Sequence, residues 1–332
     1  MFKHIVRWIL PMLILLATSL VFAAEPSPLQ LAYMHPLSDL THCDQVVISD
    51  SYGDVKQRFD LPAIDGCPFP LWSPDGKYLA VWYPTMMLIN VQTGSIQALT
   101  HKGWLVDKAI WSQNGSRLAW IEYKDDIKLW TVLNLANNTT QHYASLSEME
   151  IAPDELHYWD RQENQIWLFR SGQEPEALRF SDPQLTCSIP ASLRWEDVRM
   201  LCMDGLDLLR VDGNSQTIVQ LTNTPDLQEM NPRWSPDGRR IAYQAFGLKN
   251  RKMWLEIMTD QGTDVQQLTA PSDDDIHDEL PQWSHDGQYI VFERHSGVKG
   301  LTFKIYVIKA DGTGLQYIGD GIYPAWRPIR QS

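Results

Sequence analysis

One sequence pattern recurs along most of this chain: a tryptophan, a Ser-Pro-Asp-Gly turn and an apolar run. The clearest copy is Trp234-Ser235-Pro236-Asp237-Gly238, followed by Ile241-Ala242-Tyr243. Complete, altered or degraded copies open at Trp72, Trp111, Ile151, Trp195, Trp234, Trp283 and Trp326. A repeat of fixed period determines the architecture of a chain before any single residue is weighed. Because the motif residues recur, we interpret them as parts of a scaffold and not as a catalytic set.

A second half-pattern, an apolar strand with a Gly or Asn turn and a shorter strand, also occurs seven times. Its first copy, around Gly53, precedes the first opening half, and no closing half follows the last opening half at Trp326. The spacing of roughly 39 to 49 residues suits a four-stranded propeller blade. The two unmatched halves complete one blade if the C-terminal strand pairs with the N-terminal segment, which removes two free sheet edges. The sequence therefore predicts an all-β, seven-bladed β-propeller over residues 24–332, with six blades as the alternative if a degraded unit is not a blade.

The first 23 residues lie outside the repeat and have the features of a secretory signal peptide. Lys3 and Arg7 give a basic start, an apolar stretch follows, and Val21-Phe22-Ala23 resembles a cleavage site. The apolar stretch is shorter than the 20 or so residues that a transmembrane helix needs. We expect a signal peptide over residues 1–23, cleavage after Ala23, no transmembrane segment in the mature chain, and a periplasmic or secreted location. A retained N-terminal anchor is the alternative.

Acidic residues outnumber basic ones in this chain. It has 28 Lys and Arg against 41 Asp and Glu, a formal net charge of −13, and removal of Lys3 and Arg7 makes the balance more negative. Such a charge argues against nucleic acid and anionic membrane surfaces as partners. It is compatible with cations, with a basic patch on a protein partner, or with a merely solvated acidic surface.

The four cysteines agree with export into an oxidising compartment. Four cysteines allow three pairings, which sequence alone does not resolve. Proximity along the chain suggests Cys43–Cys67 and Cys187–Cys202, each pair lying within or beside one repeat unit. Buried free thiols are the alternative, since a chain of this length is stable without disulfides.

The fullest copies of the motif resemble a known repeat family. The stretches Asn231–Gly238 and Leu280–Gly287 follow the pattern Pro-x-Trp-Ser-Pro-Asp-Gly, with His285 replacing the second proline. Together with the trailing Ile305-Tyr306-Val307-Ile308, this pattern is similar to the WD40-like β-propeller repeat of TolB and covers essentially the whole mature chain. The resemblance implies a periplasmic propeller. TolB carries a separate α/β domain before its propeller, and here only about 28 residues separate the signal peptide from the first closing half.

The sequence lacks two catalytic motifs and contains one charged run with metal-ligand chemistry. It has no Gly-x-Ser-x-Gly elbow, which argues against a prolyl oligopeptidase-type hydrolase, and no His-Glu-x-x-His motif. One charged run has metal-ligand chemistry, because carboxylates suit Ca²⁺ and histidine suits transition metals. Its candidate ligands are Asp273, Asp274, Asp275, His277, Asp278 and Glu279. A solvated acidic loop is the alternative.

Two further features have a structural and a functional interpretation. His285 is interpreted as a turn substitution. The aromatic residues of the degraded third unit are ordinary strand residues or a stacking platform for a sugar or peptide. They are His157, Tyr158, Trp159 and Trp167.

These observations favour a binding protein over an enzyme. A propeller presents many loops on a rigid scaffold, which supports recognition without a reaction. We therefore expect a non-catalytic scaffold that binds a protein partner of the cell envelope through one rim, with no catalytic residues and no firmly implied cofactor. The alternative is a propeller enzyme acting on carbohydrate, a polysaccharide lyase or glycosidase, in which two carboxylates roughly 5–9 Å apart converge in one pocket. A passive structural protein of the envelope is the third possibility.

Overall fold

The structure is a computed structural model. It describes residues 29–329, apart from gaps at 37–41, 63–65, 101–102, 113, 126, 145–155, 161–164, 170–175, 180–188, 195–196, 198, 214–216, 271–275 and 297–301. The predicted signal peptide, residues 1–23, therefore lies outside the described residues and stays a prediction. Within the described ranges there is no helix long and apolar enough to cross a membrane.

The described residues form twenty-seven strands in seven sheets, which we number I to VII in chain order. Sheet I contains β27 (Ile322–Trp326), β1 (Gln30–Pro36), β2 (Cys43–Asp50) and β3 (Val55–Asp60). Sheet II contains β4 (Phe69–Trp72), β5 (Tyr78–Trp82), β6 (Met87–Asn90) and β7 (Ile96–Ala98). Sheet III contains β8 (Leu105–Trp111), β9 (Arg117–Lys124), β10 (Ile127–Asn134) and β11 (Thr139–Tyr143).

The second half of the chain forms the other four sheets. Sheet IV contains β12 (Leu156–Asp160), β13 (Gln165–Phe169) and β14 (Glu176–Arg179). Sheet V contains β15 (Ile189–Arg194), β16 (Arg199–Asp204), β17 (Asp207–Asp212) and β18 (Thr217–Gln220). Sheet VI contains β19 (Leu227–Trp234), β20 (Arg240–Gly247), β21 (Met253–Thr259) and β22 (Gln266–Gln267). Sheet VII contains β23 (Ile276–Trp283), β24 (Tyr289–Ser296), β25 (Thr302–Lys309) and β26 (Gln316–Asp320).

Every sheet is an antiparallel meander, and the described residues contain no helix, so the predicted all-β fold class is confirmed. Sheet I differs from the others because its strands come from both ends of the described chain. β27 pairs antiparallel with β1, with Leu31 opposite Trp326 and Ala32 opposite Ala325. The C-terminal strand therefore adopts the pairing that the two unmatched half-repeats predict.

The first strands of several sheets lie against neighbouring sheets. Contacts between sheets join β15 to β19, β19 to β23, β23 to β27 and β27 to β4. We call these first strands the inner strands. Each of the inner strands β4, β8, β19, β23 and β27 ends at a motif tryptophan. We call the side of the molecule with the turns that follow these tryptophans the turn face, and the side where the inner strands begin the mouth face.

The Ser-x-Asp-Gly turns owe their shape to one hydrogen-bond pattern. In sheet II, the Ser73 hydroxyl donates to the Asp75 carboxylate and accepts from the Tyr78 amide, and the Gly76 amide donates to the Ser73 carbonyl. Gly76 has a φ of +66°, a conformation that favours glycine. Turns beginning at Ser112, Ser235 and Ser284 repeat the pattern. The motif polar groups are thus satisfied within the turn, as a scaffold role requires.

The motif tryptophans join neighbouring sheets. In four of them, the indole N–H donates to the carbonyl that precedes the motif tryptophan of the previous sheet, whereas the buried Trp234 indole N–H has no such partner among the described residues. Four such bonds, each 3.1 Å, run from Trp72 to Ala325, Trp111 to Leu71, Trp283 to Arg233 and Trp326 to Gln282. The common register of these bonds places the turns on one face of the molecule.

Arginines of the preceding sheet cover three of these tryptophans. The guanidinium-to-ring distances are 5.0 Å for Arg327 over Trp72, 4.6 Å for Arg240 over Trp283 and 4.9 Å for Arg199 over Trp234. Each arginine also donates to the carbonyl of the turn glycine that follows its tryptophan. A cation above an indole face is favourable, so these contacts contribute to the packing of one sheet on the next.

One predicted disulfide is present. Cys43 is bonded to Cys67, which ties the start of β2 in sheet I to the segment before β4 in sheet II. Cys202 is fully buried on β16, whereas Cys187 lies outside the described residues. The first predicted pairing is therefore confirmed, and the second stays a prediction.

Candidate functional site

The mouth-face ends of sheets VII, I and II carry side chains that the repeat does not account for. We call this group the mouth cluster. Its members are His277 and Glu279 on β23, Glu293 and His295 on β24, Tyr323 on β27, Phe69 on β4, and Trp82 and Tyr83 at the end of β5. The disulfide between Cys43 and Cys67 lies beside it, two residues before Phe69. The cluster combines carboxylates, imidazoles and aromatic rings from three adjacent sheets.

Three adjacent inner strands bulge on the mouth side of their motif tryptophans. Asn231, Leu280 and Tyr323 have φ values of +50°, +54° and +56°, and each precedes a proline. The pairing register shifts at the same place in β19 and β23. Positive φ is unusual for leucine and tyrosine, and bulges of this kind redirect side chains and occur beside functional sites. The bulges therefore lie in sheets VI, VII and I, and two of these sheets, VII and I, carry members of the mouth cluster.

Glu293 is the buried acid of the cluster. Its side chain is 3% exposed, and the Tyr323 amide donates to Oε1 over 2.5 Å. Burial raises the pKa of Glu293 to about 7, and the negative charge of Glu279 adds to the rise, while the Tyr323 amide and His295 oppose it. Near neutral pH this carboxyl therefore exists in both protonation states.

The other polar groups of the cluster lie on the same side of sheet VII as Glu293. Glu279 is directly opposite Glu293 in the β23–β24 ladder, and His277 is opposite His295. The His295 Nε2 lies 2.8 Å from Glu279 Oε1, and the rings of His277 and His295 are stacked with centroids 5.0 Å apart. Glu279 therefore has an imidazole partner, and Glu293 has a backbone amide.

An aromatic group continues the cluster onto sheets I and II. The centroid of the Phe69 ring is 4.2 Å from that of Tyr323, 4.8 Å from that of Trp82 and 6.3 Å from that of Tyr83. Tyr83 is 48% exposed. Burial, with smaller contributions from Glu293 and Tyr83, raises the pKa of Tyr323. The Tyr323 phenol therefore remains neutral, and the rings offer a partly exposed aromatic surface next to the carboxylates.

The predicted metal-binding run does not form one group in the structure. Asp278 points to the opposite side of sheet VII from His277 and Glu279, and its two oxygens accept from Arg294 over 2.6 and 2.8 Å. Asp273, Asp274 and Asp275 lie outside the described residues. In the described part of the chain, no three His, Cys, Asp or Glu side chains form a group that could hold a metal ion. The Ca²⁺ site stays a prediction.

The interpretations of His285 and of the aromatic residues of the third unit have different outcomes. His285 is at the second position of its turn, where burial lowers its pKa, and its ring contacts the backbone of Trp326. This placement agrees with the interpretation of a turn substitution. The strands that carry His157, Tyr158, Trp159 and Trp167 are present as β12 and β13, but their side chains are outside what the structure describes. The proposed stacking platform there stays a prediction.

A cavity of about 540 Å³ opens on the turn face between sheets VII and I. Leu29, Tyr52, Tyr289, Arg327 and Ile329 contribute to its wall. The Arg327 guanidinium already donates to the Gly76 carbonyl and to Gln30. The Arg327 guanidinium is thus part of the packing between sheets. The mouth cluster is the stronger candidate site.

Sequence comparison finds no relatives for this chain. No family model matches it, and no curated protein sequence matches it. The fold, by contrast, matches many solved structures. TolB from Acinetobacter baumannii is 18% identical, with 91% of this chain and 67% of that chain covered and a TM-score of 0.53.

Two other solved structures extend the comparison. The β-propeller domain of the Trilobed protease from Pyrococcus furiosus is 11% identical, with 91% of this chain and 94% of that chain covered and a TM-score of 0.59. Dihydro-heme d1 dehydrogenase NirN is 13% identical, with 92% and 76% covered and a TM-score of 0.51. Identities this low establish the fold and not the activity. The chain therefore has a β-propeller fold of the TolB-like type.

Proposed function

We propose that this chain is an exported, non-catalytic scaffold that binds a protein partner on its mouth face. The observation that carries the proposal is the partly exposed aromatic surface of the mouth cluster. The rings of Trp82, Tyr83 and Tyr323, from two sheets, all lie around the ring of Phe69. Aromatic residues with one exposed face are common anchors of protein interfaces.

The contrast between the two faces supports this choice. On the turn face, the motif polar groups bond within their own turns, and four motif tryptophans bond to the previous sheet. That face repeats from sheet to sheet. On the mouth face, by contrast, the positions of Glu279 and Glu293 are occupied in sheet VI by Met230 and Gln244, and individuality of this kind is what a specific partner requires.

The location of the protein is part of the proposal. The basic and apolar N-terminus favours export, and the TolB-like propeller fold is compatible with a periplasmic or secreted binding protein. Mass spectrometry of the mature N-terminus after fractionation of the source cells tests this part. A protein beginning at residue 24 in the exported fraction is expected, whereas an uncleaved chain in the cytoplasmic fraction would refute it.

Site-specific photo-crosslinking tests the binding surface. A benzoylphenylalanine is introduced in place of Tyr83 on the mouth face, or of Tyr52, which is 65% exposed on the turn-face side of sheet I. We expect a discrete adduct in envelope preparations from position 83 and none from position 52. Adducts of equal yield from both positions, or none from position 83, would refute the mouth-face assignment.

A second candidate function, hydrolysis or elimination of a carbohydrate, rests on one observation. Glu279 and Glu293 are cross-strand neighbours, and burial raises the pKa of Glu293 to about 7 while Glu279 lies against His295. A buried carboxyl group with a raised pKa can act as a general acid at neutral pH. The neighbouring aromatic rings also suit a sugar ring.

Activity measurements decide between the two functions. The purified protein is incubated with neutral and acidic oligosaccharides, and new reducing ends or unsaturated products are measured across pH 5–8. Turnover that is lost in both Glu279→Gln and Glu293→Gln, and kept in the control variant Asp264→Asn, would favour the enzyme. Absence of any product at stoichiometric enzyme concentration, together with an adduct from position 83, would favour the scaffold.

A further inference from the structure

The aromatic surface and the carboxylates of the mouth cluster are continuous. Tyr323 joins them, because its backbone amide donates to Glu293 Oε1 while its ring lies 4.2 Å from the Phe69 ring. A ligand seated on the rings therefore lies close to the two glutamates of sheet VII. The ligand must therefore suit both the aromatic rings and the carboxylates.

The charges near this surface are mainly negative. Arg294, which follows Glu293 in β24, points to the other side of the sheet and forms two bonds with Asp278. The groups on the cluster's own side are Glu279, Glu293, His277 and His295. Of the two carboxylate oxygens of Glu293, only Oε1 accepts a hydrogen bond from a described residue. The net charge of the whole chain, −13, has the same sign.

Aromatic faces beside carboxylates suit one class of ligand group. The face of an aromatic ring attracts a guanidinium or ammonium group within about 6 Å, with Trp the strongest and Tyr and Phe weaker. A planar guanidinium can stack on a ring and still donate to a carboxylate at its edge. The structure itself uses this combination, since Arg294 lies 4.7 Å above the Tyr306 ring while bonding Asp278.

We propose that the mouth cluster recognises an arginine-containing segment of a partner protein, the guanidinium stacking on the aromatic surface and donating to Glu279, whose side chain is 26% exposed. This inference rests on the proposed function and specifies the chemistry of its partner. Apolar neighbours of that arginine would pack against Tyr83 and Trp82. A neutral sugar is the competing occupant, and it would use the rings without the carboxylates.

Peptide binding to the purified full-length protein tests the inference. The probes are a fluorescein-labelled hexapeptide of alternating Arg and Leu, the same peptide with Glu in place of Arg, and a neutral hexasaccharide. We expect saturable binding of the Arg peptide only, measured by fluorescence anisotropy. Raising the salt from 50 to 500 mM should weaken it at least threefold, because exposed charge attraction is screened.

Three variants locate the binding. Tyr83→Leu removes the exposed ring and Glu279→Gln removes a negative charge; each should weaken the Arg peptide about three- to tenfold, within the range of a single cation–π or charge contact. Tyr52→Leu, at an exposed tyrosine away from the mouth, should leave binding within twofold. Melting curves of all three verify that they are folded.

The possible outcomes separate this inference from the proposed function. Equal binding of the Arg and Glu peptides, preference for the hexasaccharide, or equal weakening by Tyr52→Leu would overturn the guanidinium inference. If those results occur while position 83 still crosslinks to a partner, the mouth face binds a protein by other chemistry. If the Arg peptide binds as expected but position 83 yields no adduct, the peptide chemistry stands and the assignment of a protein partner fails.

Discussion

The buried acid Glu293 makes the stability of the fold depend on pH in an unusual direction. Most carboxyl groups that are bonded in a folded protein have lowered pKa values, as Asp50, Asp75 and Asp237 have here, and they favour folding at neutral pH. The pKa of Glu293 is instead raised from 4.5 to about 7 by burial. The folded state therefore binds this proton more tightly than the unfolded state does.

The sign and size of the effect follow from that difference. A raised pKa gives a stabilisation that is fully present below about pH 4.5 and is lost as the pH rises through 7. Each unit of pKa difference corresponds to about 1.4 kcal/mol. The shift from 4.5 to about 7 therefore corresponds to about 3 kcal/mol of unfolding free energy, lost between pH 4.5 and 7.5.

The perturbation that isolates this effect is Glu293→Gln. Glutamine has the same shape, cannot ionise, and keeps an oxygen that accepts from the Tyr323 amide. In the neighbouring sheet VI, a glutamine already occupies the corresponding position: Gln244 in β20, opposite Met230. We expect the variant to be more stable than the wild type at pH 8, by up to about 3 kcal/mol, and similar to it at pH 5.

Urea unfolding followed by tryptophan fluorescence measures the difference at half-unit steps from pH 5 to 8.5. Gln244→Glu is the matched converse, because an acid placed at the same depth in sheet VI should introduce a pH slope of the same sign. A constant difference between wild type and Glu293→Gln over the whole range would refute the reasoning. So would a wild type that gains stability, relative to Glu293→Gln, as the pH rises from 6 to 8.

Three further predictions concern the joints between sheets. Trp283→Phe removes the indole bond to the previous sheet and should cost about 1–3 kcal/mol of unfolding free energy, measured in urea. Arg199→Ala removes two carboxylate contacts of 2.6 Å and should cost about 1–3 kcal/mol, whereas Lys249→Ala, at an exposed ion pair, should cost less than about 1. Replacing Cys43 and Cys67 by alanine should cost about 3 kcal/mol, since their disulfide closes a loop of sequence separation 24; a melting temperature equal to that of the wild type would contradict this.

The repeat made the scaffold predictable. Each Trp-Ser-x-Asp-Gly copy encodes a turn whose bonds are local, so Ser235 and Asp237 meet because they are two residues apart. The unmatched halves at Gly53 and Trp326 likewise indicated the pairing of β27 with β1. Local bonding and a period count were enough for these features.

The mouth cluster could not be predicted in the same way. Glu293 and Tyr323 are 30 residues apart in different repeats, and they meet only because a bulge turns the Tyr323 amide toward sheet VII. Phe69 and Tyr323 approach each other through the pairing of the two chain ends. The composition of the acidic run before Trp283 predicted a metal site. Strand alternation, however, places Asp278 and Glu279 on opposite sides of one sheet. The x-Pro steps at Asn231, Leu280 and Tyr323, each with its proline two residues before a motif tryptophan, are the sequence signal that could have indicated the bulges.

The pairing of β27 with β1 also sets a condition on how the protein is made. β1 leaves the ribosome long before β27, so the inner edge of sheet I stays unpaired until synthesis reaches residue 326. Leu31, Ala32 and Met34 on that edge are fully buried in the finished fold. An open, apolar strand edge invites pairing with other chains. Any fragment that stops short of Ile322 carries that edge exposed, so premature termination or C-terminal clipping should lead to aggregation or proteolysis and not to a smaller working propeller.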